Sequence, residues 1–121
     1  MVDVEFRVPI YGTKIKVVVN ADIDKYAKDN DIDDRGINHR AVVYDFFEYD
    51  RTFDLIVLFG INVKSNDIVH EVFHLVCYIM KHIGCKLSDE SEEAFAYLNE
   101  YLYKKITSLI IIEKQKLKVE E

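Results

Sequence analysis

The chain has 121 residues, of which half are hydrophobic, 16 are basic and 22 are acidic, giving a formal net charge of −6. This length predicts one compact domain that folds without disulfide staples. The acidic surplus argues against nucleic acid as a partner, because phosphate binding needs clustered lysine and arginine side chains. With only two cysteines in the sequence, we expect a reducing, cytoplasmic location.

No segment of the sequence predicts a membrane anchor or a secretory signal. The longest apolar runs are Leu55–Phe59 and Leu109–Ile112, far shorter than the roughly 20 residues that span a bilayer. Asp3, Glu5 and Arg7 interrupt the N-terminal stretch, where a signal peptide needs an unbroken apolar core. We therefore expect no membrane partner.

The first half of the chain predicts strands, with one short helix between them. Asn20 is a candidate cap for a helix over Asp22–Lys28, and the polar segment 29–39 predicts a loop. A short polar link between the last two strands predicts a hairpin. Alternating apolar residues and β-branched content predict four strands, over Val2–Val8, Lys14–Val19, Ala41–Tyr49 and Phe53–Ile61.

The second half predicts two helices. Polar cap candidates at residues 65–67 open a helix that runs to about residue 83, where Gly84 stops it. A second helix is predicted over about residues 89–112, and the charged segment after it is expected to fray. The fold class is therefore α+β, with a mostly antiparallel sheet over about residues 1–62 followed by two helices in a single domain.

The first of these helices carries the sequence His70-Glu71-Val72-Phe73-His74, which is an HExxH pattern. Residues four apart lie on the same face of a helix, so the two imidazoles can bind one Zn²⁺. A catalytic zinc site needs a third protein ligand and one open position for water. Glu71, beside the first histidine, can take a proton from that water.

Three features around the motif favour a metal site. The strand predicted over Phe53–Ile61 comes just before the helix and can form the cleft edge along which an extended peptide pairs. The segment 91–97 on the next helix supplies carboxylates. At 100° per residue, the two histidines lie roughly opposite an apolar stripe made of Ile68, Val72, Val76, Ile79 and Ile83.

With this pattern the sequence resembles zinc metallopeptidases of the zincin type, in particular the gluzincins, which complete the zinc site with a glutamate on a following helix. The 18 residues between His74 and Glu93 look like a short gluzincin spacer. HEVFHLVCYIMKHIG followed by SEEAFAYL resembles small metallopeptidases encoded by tailed phages, including crAss-like phages, over about residues 55–103. The metzincin extension HExxHxxGxxH is not matched, because Cys77 and Met80 stand at its last two positions.

The resemblance implies a role for each residue of the pattern. His70 and His74 would be zinc ligands, and Glu71 would be the general base that later passes its proton to the leaving amine. Glu93 would be the third zinc ligand, with Glu92 as the alternative, because helix phase alone does not choose between them. The implied cofactor is therefore one Zn²⁺ ion.

Zincins also need a donor that stabilises the tetrahedral oxyanion, often a tyrosine or a histidine. The candidates are Tyr97 and Tyr101, both near the Glu93 face, and His82. The expected function is zinc-dependent hydrolysis of a peptide bond in a peptide or protein substrate. If the chain is phage-encoded, as the resemblance implies, the reaction takes place in the cytoplasm of the bacterial host.

Two other functions stay open on the sequence. One is a non-catalytic zinc-binding structural or interaction protein of a phage, for which the apolar Leu109–Ile112 patch offers a homodimer or partner surface. The other is an α+β protein that binds no metal. The zinc content of the purified protein separates the two zinc-binding functions, hydrolase and interaction protein, from a protein that binds no metal.

Overall fold

A computed structural model of the chain describes residues 2–32 and 40–120, and side chains as far as residue 115. Residues 33–39 of the loop predicted over residues 29–39 lie outside the described residues. The elements follow the α+β order that the sequence predicts, namely β1 (Val2–Arg7), β2 (Lys14–Ala21), α1 (Ile23–Asp29), β3 (Ala41–Asp45), β4 (Leu55–Gly60), α2 (Ser65–His82) and α3 (Glu92–Glu120).

The described strands form one mixed sheet in the order β1-β2-β4-β3. β1 pairs antiparallel with β2, and β3 pairs antiparallel with β4, so the predicted hairpin is confirmed. Its predicted bounds are wrong, because β3 ends at Asp45 and the connection to β4 spans residues 46–54. β2 and β4 run parallel, because α1 and β3 lie between them in the chain and carry it back to the starting end of the sheet. This order places β4 inside the sheet and leaves β3 at one edge.

Both faces of the sheet are covered by helices. Val17 and Val57 face α2 and α3 in one core, whereas Val18 and Leu58 face α1 in another, as the alternation of strand side chains requires. β4 is buried along its whole length, and a strand covered on both faces has a continuous apolar sequence rather than an alternating one. The run Leu55–Phe59 is therefore a central strand.

Helix α2 places its apolar stripe against the sheet. Four members of the predicted stripe are buried, namely Ile68, Val72, Val76 and Ile79. Ile83 is 49 % exposed because the helix ends at His82, so that part of the prediction is wrong. His70 and His74 lie on the exposed side, as the helical wheel predicts.

Helix α3 begins and ends later than the sequence predicts. It starts at Glu92, and the segment expected to fray is helical as far as Glu120. Burial of Leu98, Leu102, Ile106 and Ile110 follows the helical repeat and holds the helix against α2 and β2. Within the apolar patch at 109–112, Ile110 is buried while Ile111 and Ile112 are each 49 % exposed, so only part of that predicted homodimer surface is accessible.

Helix α1 is short, and its cap differs from the prediction. Asp22, rather than Asn20, is the N-cap, and its carboxylate accepts a hydrogen bond from the backbone N–H of Lys25 at 3.3 Å. Asn20 has a positive φ of 61°, which suits its position at an irregularity in the β2–β4 pairing. None of the described helices combines the length and the apolar character needed to cross a lipid bilayer.

Candidate functional site

The two histidines of the HExxH pattern meet at their ring tips. The Nε2 atoms of His70 and His74 lie 3.1 Å apart, and the ring centroids are 4.7 Å apart with the planes at 71°. A tetrahedral zinc ion with Zn–N bonds of 2.0–2.1 Å holds two nitrogen atoms about 3.3 Å apart. The pair is therefore spaced as two ligands of one such ion would be.

Glu71 lies beside the pair but points to the protein side of the helix. It is 8 % exposed, and it lines one cavity together with both histidines and Tyr78. Residues 41–43 of β3 complete the lining of this cavity. We call this space the histidine cavity. Its volume of about 170 Å³ exceeds the roughly 10–15 Å³ that a single water needs.

The strand beside the site is β3, and this corrects the sequence-based expectation. The strand predicted over Phe53–Ile61 was expected to form the cleft edge, but β4 lies inside the sheet with a partner on each side. β3 is the edge strand, and its residues Ala41–Val43 line the histidine cavity. Among the described strands β3 pairs with β4 alone, so the strand that borders the cavity is β3 and not β4.

Arg40 joins the two walls of the site at one end. Its Nε and Nη2 atoms donate to the Asp67 carboxylate at 2.9 and 3.0 Å, and Asp67 also accepts from the backbone N–H of Lys64 at 2.9 Å. Arg40 directly precedes β3, and Asp67 lies in the first turn of α2. The Arg40 hydrogen bonds hold the pKa of the Asp67 carboxyl below its usual range, and the Lys64 hydrogen bond acts in the same direction.

The third ligand expected from the resemblance does not join the histidine pair. Glu93 and Glu92 are exposed in the first turn of α3, where acidic residues favour the helix dipole. Within the described part of the chain, no group of three or more His, Cys, Asp or Glu side chains is arranged to hold a metal ion. The described structure therefore does not bring Glu93 or Glu92 into a metal-holding group with the two histidines.

The tyrosines expected as oxyanion donors also lie elsewhere. Tyr97 and Tyr101 line a different cavity, formed between the start of α3 and the turn at Val8–Tyr11, so the expectation that they serve the histidine site is not met by the geometry. The tyrosine that does line the histidine cavity is Tyr78. The sequence held a signal for it, because Tyr78 follows His74 by four residues and so shares its helix face.

A second cavity continues the first along the groove between β3 and α2. It has a volume of about 380 Å³, and its lining includes Asp45, Phe47, Tyr78, Lys81 and His82. The rings of Phe47 and His82 stack with centroids 3.9 Å apart and planes 10° apart. We call this space the aromatic cavity. His82, the remaining oxyanion candidate, lies here and not in the histidine cavity.

Tyr78 lines both cavities, so the two are neighbours between β3 and α2, and we call the pair the cleft. Residue numbers rise together along its two walls, from segment 41–43 facing His70 and His74 to segment 45–49 facing Lys81 and His82. From His70 to His82 the helix advances about 18 Å. This length is enough for about five residues of an extended chain.

No protein-family model, curated protein or solved structure matches this chain. The function is therefore inferred from the side chains of the cleft.

Proposed function

We propose that this chain is a zinc-dependent hydrolase of peptide bonds, with His70 and His74 as metal ligands and Glu71 as general base. The observation that supports it most directly is the 3.1 Å separation of the two Nε2 atoms at a cavity that Glu71 also lines. A pair of core histidines would be buried, whereas these two side chains are exposed to solvent.

Each residue of the proposed centre has a distinct task. Zinc, when bound, supplies a Lewis acid that lowers the pKa of a bound water. His70 and His74 orient the site because both project from one rigid helix. Glu71 shares the cavity with them, so its carboxylate can accept the proton of the attacking water and deliver it to the leaving amine. Glu93 stays the third ligand that the zincin resemblance implies, without support from the described geometry.

The proposed substrate is an extended peptide that pairs with β3, the strand at the edge of the described sheet. Main-chain hydrogen bonds to an edge strand hold a peptide in register while side-chain pockets choose its sequence. The histidine cavity lies directly against residues 41–43 of this strand. A peptide paired there would cross the histidine pair with its backbone close to Glu71.

A second candidate function is a zinc-binding interaction protein without turnover. The observation that favours it is the lack of a third metal-ligating side chain beside the histidine pair among the described residues. Two protein ligands can still anchor an ion that a partner molecule completes. In that case Glu71 would have no chemical task, and its replacement by glutamine would leave the protein's binding properties unchanged.

Zinc content tests both candidates first. We expect about one zinc per chain in the wild type and a loss of bound zinc in His70→Ala and His74→Ala. His82→Ala is the matched control, because His82 lies on the same helix outside the histidine cavity. If wild type and control bind no zinc, both zinc-dependent functions are wrong.

Glu71→Gln then separates the hydrolase from the interaction protein. The variant keeps the shape of the side chain and removes the base, so we expect normal zinc content and loss of hydrolysis of a fluorescently labelled unfolded protein. Hydrolysis that is equal in wild type and Glu71→Gln would contradict the proposed role of Glu71. Zinc binding without hydrolysis in the wild type would favour the interaction protein.

A further inference from the structure

Another cavity lies between the turn that joins β1 to β2 and the first turns of α3. Its volume is about 390 Å³, within the roughly 300–1,000 Å³ of sites that hold small molecules. We call it the turn cavity, and its lining includes Val8–Tyr11, Ala94, Tyr97, Leu98 and Tyr101. None of these described residues lines the histidine cavity or the aromatic cavity, so the turn cavity is a separate site.

The described residues that line the turn cavity include no charged side chain. The other two cavities differ in this respect, because Glu71 lines the histidine cavity and Asp45 and Lys81 line the aromatic cavity. Charged residues make up 31 % of the chain, so an uncharged lining sets this site apart. An ion placed here would lose hydration without gaining a partner of opposite charge. The lining therefore fits an uncharged ligand.

Tyrosine side chains contribute to both walls of the turn cavity. Tyr97 and Tyr101 belong to α3, and Tyr11 belongs to the turn. Val8 and Leu98 are the buried members of the lining, with 1 % and 4 % of their surface exposed. Contacts between aromatic rings add to affinity beyond the burial of apolar area, and a tyrosine hydroxyl can donate or accept a hydrogen bond. This combination favours an aromatic ring that carries a polar group.

Ile10 adds a strained apolar side chain to the mouth of the turn cavity. It has a φ of 70° and is 99 % exposed, so its branched side chain occupies the left-handed region without burying surface. Backbone strain of this kind is concentrated at positions that clamp ligands. A ligand in the turn cavity would cover Ile10 and give this side chain a contact.

The backbone around the turn cavity offers a peptide few groups to pair with. The N–H groups of Val8, Tyr11 and Gly12 donate to carbonyl groups of the same turn at 2.8, 2.8 and 2.9 Å. Pro9 has no N–H, and the facing wall belongs to α3, whose inner N–H groups bond within the helix. The turn cavity therefore fits a free small molecule better than a strand of peptide.

We propose that the turn cavity binds a small, uncharged aromatic molecule that carries one hydrogen-bonding group. The aromatic ring of the ligand packs against Tyr97 and Tyr101, and Ile10 covers it on the solvent side. The site needs no metal ion and is independent of the proposed hydrolase, so either can fail without the other.

Indole is the probe, because it is an uncharged aromatic ring with a single N–H donor. We expect it to bind the metal-free full chain with a dissociation constant on the order of 0.1–1 mM, measured from the shifts of backbone amide NMR signals. The shifted signals should come from Val8–Gly12 and Ala94–Tyr101. The absence of saturable shifts, or shifts confined to residues 70–82, would overturn the site.

Two alanines of α3 provide matched variants. Ala94 and Ala96 are both exposed, and of these two only Ala94 lines the turn cavity. Ala94→Trp should weaken indole binding by at least about tenfold, because the new ring fills the cavity, whereas Ala96→Trp should leave it within about twofold. Equal affinity in the two variants would contradict the proposed location.

Ile10→Gly tests the role of the strained residue in the same titration. We expect about threefold to tenfold weaker indole binding, because the ligand loses an apolar contact, although the substitution also removes backbone strain. Unchanged affinity would overturn the role of Ile10 as a cover for the ligand.

Two further probes test the class of ligand. Tryptamine adds a positive charge to the indole ring and should bind about fivefold more weakly, although the net charge of −6 attracts it. The capped tripeptide acetyl-Gly-Trp-Gly-amide should bind no more tightly than indole. Equal or tighter binding of tryptamine would overturn the uncharged class, and tighter binding of the tripeptide would show that the site takes a peptide side chain instead of a free molecule.

Discussion

Arg40 and Asp67 connect the edge strand to the start of the HExxH helix through two hydrogen bonds of 2.9 and 3.0 Å. The connection lies at the end of the cleft near His70. His70 follows Asp67 by three residues in α2. The connection joins the residue before β3 to the first turn of α2, and these two elements line the histidine cavity. Arg40 is half-exposed, whereas the Asp67 side chain is 14 % exposed, so the carboxylate is the better shielded partner.

The stability supplied by Asp67 should depend on pH. Its pKa in the folded protein is lowered, first by the hydrogen bonds from Arg40. A lowered folded-state pKa stabilises the protein above the unfolded value of about 3.9, and that contribution is lost as the pH falls through the folded-state pKa. We expect Asp67→Asn to reduce the free energy of unfolding by about 0.5–1 kcal/mol at pH 7 and by less at pH 3, measured by urea unfolding. An equal effect at both pH values would contradict this assignment.

Zinc affinity can decide between the two glutamates at the start of α3. Glu92 and Glu93 are adjacent and exposed, so their glutamine variants are matched to each other. From the described geometry we expect both variants to keep the zinc affinity of the wild type within about twofold, measured by competition with a chelator. A loss of tenfold or more in Glu93→Gln alone, the scale expected for disturbing a metal site, would instead establish Glu93 as the third ligand.

The helix that carries the histidines is held by its buried face. Leu75 is fully buried between α2 and the sheet, whereas Val69 on the same helix is 53 % exposed. We expect Leu75→Ala to lower the free energy of unfolding by about 2–5 kcal/mol, because it leaves a cavity in a packed core. Val69→Ala should change it by less than about 0.5 kcal/mol. Similar effects of the two changes would show that α2 packs differently.

The bounds of α2 and the presence of the hairpin were predictable because their signals are local. Cap candidates at residues 65–67 and a stop at Gly84 bracket α2 closely, and the polar residues 50–52 lie within the connection 46–54 that joins β3 to β4. The strand order was not predictable in the same way. The parallel pairing of β2 with β4 joins segments about 40 residues apart, and no short-range pattern in either strand specifies it.

Only the part of the candidate site that depends on local spacing was predicted. His70, Glu71 and His74 are fixed by spacing along one helix, and the structure places them at one cavity. Tyr97 was favoured because it shares a helix face with Glu93, but the packing of α3 directs it toward the turn at Val8–Tyr11. Tyr78 was overlooked although its spacing from His74 is a local signal.

The turn between β1 and β2 contains a residue with a strained backbone conformation, and a substitution can remove that strain. Ile10 has a φ of 70° and is 99 % exposed, so a branched side chain occupies the left-handed region without burying any surface. We expect Ile10→Gly to raise the free energy of unfolding by up to about 1 kcal/mol, because glycine adopts this region without the steric cost. Thermal unfolding measures the change.

Gly12 provides the opposite control in the same turn. Its φ is 73°, and a Cβ added there would meet no atom within 4 Å. Gly12→Ala should therefore lower the free energy of unfolding by about 1 kcal/mol through backbone strain alone. Destabilisation by Ile10→Gly, or no effect of Gly12→Ala, would mean that the turn adopts another conformation in solution.

The position of β3 at the edge of the described sheet also has a consequence for handling the protein. An edge strand is a template for pairing with a strand of another chain, including the β3 of a second molecule. The sequence of this edge is Ala-Val-Val-Tyr-Asp, so a single charged side chain opposes such pairing within the strand. The net charge of −6 opposes it at long range, and salt screens that repulsion. Self-association should therefore increase with ionic strength.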